Sequence, residues 1–216
     1  MQSLRNLSAL TLLVSLLFIA TNAQADTTKY FGNIRYNHVS PHVEIKGVNP
    51  LKKEQVANRP HFIFLYNEND KLMSIIDKSY NVVKRHHLTT FGAYKVTFDY
   101  TSNKETRLFF DVNNNPMMNM KGVYKEVYSF NEKGFKHELN FYNQQNKPME
   151  SRWNISNYQW IEKGNWVVEN RFNLKQVKQP LSPYFLFATT AIEYDKLGNP
   201  YRHFNLNEKL EIVNNE

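Results

Sequence analysis

The chain has 216 residues, 27 Lys plus Arg against 20 Asp plus Glu, a net charge of +7 and no cysteine. Its length supports one sizeable core, and the missing cysteines exclude a disulfide framework and a lipid-attachment cysteine. The basicity favours encounter with anionic partners such as lipopolysaccharide or acidic glycan. No run of five basic residues occurs, however, and the densest patch is Lys84-Arg85-His86-His87, so the charges read chiefly as a solvated face.

Residues 1–25 read as a secretory signal. Arg5 gives a positive start, Leu10 to Ala20 is apolar apart from Thr11 and Ser15, and Ala23-Gln24-Ala25 is a small-x-small cleavage site. The apolar run is shorter than the roughly 20 residues a spanning helix needs. The sequence therefore predicts cleavage after Ala25 and a soluble mature chain, periplasmic or secreted and not membrane-spanning. Export argues against nucleic acid as a native partner.

Residues 26–59 read as an N-terminal capping segment. Gly32 to Tyr36 and His42 to Lys46 have the character of short strands. Asn49-Pro50 opens a stretch to Val56 that predicts one or two helical turns. His38, His42 and Glu44 have the best metal-ligand spacing in the chain, because His42 and Glu44 share a strand face and His38 can fold back across Pro41. The simpler reading is an exposed polar loop, since a fourth ligand or a helical register is missing, and no cofactor is predicted. The segment serves to hide the apolar edge of the first repeat, which begins near Pro60.

Residues 60–216 form a single domain with the cap and carry an internal repeat. An aromatic or apolar residue precedes a turn at Asn67, Thr101, Asn131, Ile161 and Asp195, and a second set of turns begins at Asp77, Asp111, Asn143, Asn173 and Asn205. Five repeats of about 30 to 34 residues result, the signature of a fold that stacks one supersecondary unit. The columns are sharp. Tyr66, Tyr100, Phe130, Trp160 and Tyr194 precede the first turns, and Phe64, Phe98, Tyr128, Tyr158 and Ile192 stand two residues earlier on the same strand face. Ile76, Phe110, Tyr142, Phe172 and Phe204 precede the second turns. These columns predict an all-β antiparallel meander with the first two as core.

Gly134, Gly164 and Gly198 share one turn position, where a left-handed backbone is cheapest for glycine. Asp70 and Lys104 take that place in the other units, so those turns are predicted to be strained or of another type. Pro116, Pro148 and Pro200 fit strand starts. The recurrence of Asp77, Asp111 and Asp195 at turns points to carboxylates that accept backbone N–H bonds rather than to catalysis. Strands of five or six residues are too short for an outer-membrane barrel.

The run Gly122, then Tyr128-Ser-Phe130-Asn131-Glu-Lys-Gly134-Phe135, and the run Ile192-Glu-Tyr194-Asp195-Lys-Leu-Gly198 resemble the tyrosine-aspartate repeat of bacterial Rhs-type and wall-associated proteins. The resemblance covers residues 60 to 210. It implies an antiparallel β-repeat and carries no catalytic residues.

No nucleophile elbow, phosphate-binding glycine loop or His-Glu-x-x-His occurs, so no catalytic residue is assigned. Off-column Trp153 and Trp166, with the basic pair Lys84 and Arg85, are the candidate binding residues, since rings on a rigid sheet make platforms for sugars or peptide side chains. The sequence thus points to an exported binding or accessory protein of the bacterial envelope, its ligand open between an envelope glycan and another exported protein. The alternatives are an envelope hydrolase acting on glycan or peptidoglycan, and a structural or inhibitory partner. A hydrolase predicts a cleft with two close acids or a partnered histidine.

Overall fold

The computed structural model describes residues 27–36, 39–42, 45–80, 91–183, 185–196 and 199–213. The predicted signal segment, Lys84, Arg85, His38, Glu44 and Gly198 lie outside them. The chain begins with a hairpin, β1 (Thr27–Arg35) and β2 (Lys46–Leu51). Five hairpins succeed it: β3 (Phe62–Tyr66) with β4 (Leu72–Asp77), β5 (Lys95–Thr101) with β6 (Lys104–Phe110), β7 (Lys125–Phe130) with β8 (Lys136–Tyr142), β9 (Asn157–Lys163) with β10 (Trp166–Phe172), and β11 (Thr189–Tyr194) with β12 (Pro200–Leu206). A short β13 (Ile212–Val213) completes one antiparallel sheet in the order β13-β12-β11-β10-β9-β8-β7-β6-β5-β4-β3-β1-β2. Each repeat is one hairpin. The two edges, β2 and β13, do not meet.

The N-terminal hairpin covers the first repeat, with Thr27 to Phe31 pairing along β3. Among the described residues the only helical element is one 3-10 turn, Lys53–Gln55, in which Gln55 Oε1 accepts the Lys52 backbone N–H at 2.8 Å. It falls inside the Asn49–Val56 stretch predicted to be helical, but starts at Lys53 rather than at Pro50. Pro50 instead pairs with Phe31 in the edge strand, where its missing N–H interrupts no inner ladder, and Asn49 takes a left-handed φ of 58°.

The turns explain the repeat. Asn67, Asp111, Asn131, Asn143, Asn173 and Asn207 each accept the backbone N–H groups two and four residues on, at 2.8 to 3.0 Å. The side chain thereby replaces the ladder bonds the reversing chain has lost. The last of the second turns begins at Asn207 rather than Asn205, which is buried within β12. Asp77 and Asp195 likewise accept N–H groups from Ser79 and Asn199. Asp70 has φ 54°, whereas Lys104 pairs with Thr101 across a two-residue turn of another kind.

Gly134 has φ 76°, and a Cβ built there would meet open space, so backbone strain alone opposes a larger residue. Gly134→Val is expected to cost about 1 to 2 kcal/mol and Lys133→Val close to nothing. Denaturant unfolding of both variants checks this, and equal stabilities would contradict the turn assignment.

Phe64, Phe98, Tyr128, Tyr158 and Ile192 are all buried on one face, at 0 to 3% exposure. The column nearer the turns is half-buried except for Trp160, because it lies at the rim of the sheet. Ile76, Phe110, Tyr142, Phe172 and Phe204 are half-buried on the opposite, outer face.

The sheet curls around its inner face. Laid flat, β1 and β10 would stand eight strand spacings apart, about 38 Å. Yet Arg35 and Lys46, at the open end of the first hairpin, line one cleft with Trp166 and Tyr194. The segment joining β1 to β2 crosses this interior: Tyr36 meets Phe91 at 4.3 Å between ring centroids, and His42 meets Phe135 and Tyr194 at 5.5 and 4.8 Å.

Candidate functional site

The interior is more charged than the aromatic columns suggest. Glu105 and Arg107 stand two apart on β6, and Glu169 and Arg171 two apart on β10, so each pair points inward from one strand face. Arg107 Nε donates to Glu105 Oε1 at 2.6 Å, and its guanidinium lies 4.4 Å from the Tyr128 ring centre. Arg171 Nε donates to Glu169 Oε1 at 2.7 Å, while Glu169 Oε2 accepts Trp160 Nε1 at 2.8 Å. Between the two pairs, Glu126 Oε1 accepts Lys121 Nζ at 2.5 Å and Asn119 Nδ2 at 2.6 Å. Lys121 Nζ also donates to Tyr36 OH at 3.0 Å, tying the β1–β2 segment to the middle of the sheet.

Two clefts open where the first turns meet this segment. The larger, about 590 Å³, has walls of Phe31, Tyr66, Phe98, Tyr100 and Phe130, with Glu105, Arg107 and Lys136 also in its lining. Gly47 lines it as well, and any side chain there would collide with the Phe31 ring. Lys29 pairs with Asp70 at 3.1 Å and lies 4.4 Å from the Tyr66 ring centre. Lys136 Nζ lies 3.6 Å from Glu105 Oε2. Burial by itself would raise the Glu105 carboxyl, but the Arg107 guanidinium and the Lys136 ammonium outweigh it and hold the group below the usual glutamate value.

The smaller cleft, about 460 Å³, is lined by Arg35, His42, Lys46, Glu162, Trp166, Tyr194, Asp195 and Lys196 among others. Burial pushes the His42 imidazole below the usual histidine value, against the opposing pull of Glu162. Among the described residues its ring makes a tilted contact with Phe135, an edge-on contact with Tyr194 and no side-chain hydrogen bond.

Two of the sequence candidates, Trp166 and His42, border this cleft, although the Trp166 ring turns to the outer face. Trp166 is half-buried against Phe204 at 4.8 Å, with the Arg202 guanidinium 5.6 Å from its ring centre. Trp153 lies elsewhere, packed against the core cluster around Tyr128, Tyr158 and Trp160, with Arg152 5.4 Å from its ring centre. His38 and Glu44, the other proposed ligands beside His42, fall outside the described residues. Among those residues no three potential metal ligands come together, and no helix is long and apolar enough to cross a membrane.

Sequence reasoning misses the larger cleft. Tyr66, Tyr100 and Phe130 read as core positions, and nothing local sets Glu105 and Arg107 apart from solvated strand charges. Their i, i+2 spacing, recurring at Glu169 and Arg171, is the only signal that could have found it. Compared with family models, curated proteins and solved structures, the chain matches none.

Proposed function

We propose that the chain is an exported binding protein of the bacterial envelope, holding its ligand in the larger cleft without chemical turnover. Export rests on the charged start, short apolar run and Ala23-Gln24-Ala25 site of the first 25 residues. The observation that carries binding over hydrolysis is the state of Glu105. A carboxylate paired with Arg107 and Lys136, which favour its ionised form, is a poor proton donor for glycoside cleavage. Asp70, the other acid of the cleft, pairs with Lys29. Aromatic walls around such fixed charges suit a ring-bearing polar ligand, and an envelope glycan has that chemistry.

Incubation with purified peptidoglycan, with sedimentation and a reducing-end assay, tests this reading. The protein is expected to pellet with the polymer and to release no new reducing ends, and protein recovered from cells is expected to begin at Asp26. Release of reducing ends would support a hydrolase, and a retained Met1 would overturn export.

A further inference from the structure

We propose that the end of the sheet carrying the second turns docks on an anionic membrane surface, through apolar turn tips set among lysines. The lysines form a repeated constellation on the outer face. Lys95 stands opposite Phe110, its ammonium 5.8 Å from the ring centre and 3.4 Å from Asn114 Oδ1. The next repeat builds the same arrangement: Lys125 opposite Tyr142, 5.4 Å from the ring centre and 3.0 Å from Asn146 Oδ1. Further along, Lys178 Nζ donates to Thr189 Oγ1 at 3.2 Å.

Among the described residues, none of these three ammoniums has a carboxylate within ion-pairing distance, in contrast with the paired charges of the inner face. The nearby acids point elsewhere: Asp111 accepts the N–H groups of Asn113 and Asn115, and Glu150 accepts that of Leu174. An ammonium has three donors and each carboxamide takes one, which leaves others for an anion.

The second observation is apolar exposure at the same end. Val112 at 53%, Leu174 at 47% and Val177 at 54% project from the second turns after β6 and β10. Apolar tips flanked by unpaired cations suit the boundary between headgroups and acyl chains, where the tips leave water and the ammoniums meet lipid phosphates. A soluble polyanion would use the lysines alone and leave the tips without a role.

The surface lies at the opposite end of the strands from the larger cleft, so its failure would leave the binding reading untouched. Cosedimentation with vesicles of phosphatidylglycerol and phosphatidylcholine tests it on the mature protein. Lys95→Gln with Lys125→Gln, and separately Val112→Ser with Leu174→Ser, are each expected to weaken vesicle binding about tenfold with unchanged melting midpoints. Lys133→Gln with Lys163→Gln, on the first turns, removes the same charge and is expected to change binding less than about twofold. Equal losses in both lysine pairs would reduce the effect to net charge and overturn the proposal. So would vesicle binding indifferent to the turn tips, or a lysine-pair effect seen with soluble heparin and not with vesicles.

Discussion

Trp160→Ala is expected to lower folding stability by about 3 to 5 kcal/mol, enough to unfold a domain of ordinary stability. Trp160 is 2% exposed, runs nearly parallel to Tyr128 and Tyr158 with ring centroids at 6.3 and 5.9 Å, and donates its indole N–H to Glu169. Truncation therefore opens a large cavity and removes a hydrogen bond from a buried carboxylate. Phe130 occupies the same column one repeat earlier but is half-buried at the lip of the larger cleft, so Phe130→Ala should cost clearly less. Thermal melts of the two variants check the contrast. A Trp160 variant that melts like the parent would reverse the assignment of inner and outer faces.

Glu126→Ala is expected to cost about 3 to 5 kcal/mol as well, for a different reason. Glu126 and Lys121 are both fully buried, and Arg107 NH1 approaches Glu126 Oε2 at 3.8 Å. Removing the carboxylate strands the Lys121 ammonium in the interior and leaves Asn119 Nδ2 without its acceptor. The double variant Lys121→Met, Glu126→Leu removes both charges and should recover most of the loss, since an apolar pair of similar volume avoids desolvation altogether. Urea unfolding of the single and double variants supplies the comparison. A double variant no more stable than the single one would mean that the Lys121 bond to Tyr36, which anchors the β1–β2 segment, matters more than the ion pair.

The hairpin architecture is legible in the sequence because its signals are local. An Asx side chain that accepts N–H groups two and four residues later needs only five consecutive residues, and the aromatic column two residues upstream of the turn aromatics lies within the same strand. Where two such residues stand close together the signal is ambiguous: Asn205 and Asn207 flank Leu206, and only the pairing of β12 with β11 and β13 shows that Asn207 makes the turn. The charged interior is not legible, because an inward Glu-x-Arg and a solvated one look alike in a strand. Nor is the path of the β1–β2 segment. Its bond from Tyr36 to Lys121 joins residues 85 positions apart, and only the curl of the sheet brings them together. The larger cleft depends on both features, so the sequence hides its site while revealing its scaffold.

The most direct test of binding against catalysis is the titration of the Glu105 side-chain carboxyl, monitored by carbon-13 NMR in the folded protein. The ion pairs with Arg107 and Lys136 predict a midpoint below the ordinary glutamate value of about 4.3 and an ionised group throughout the neutral range. A midpoint displaced upward toward neutrality would make Glu105 a competent proton donor and contradict the account of the cleft as a site that binds without reacting.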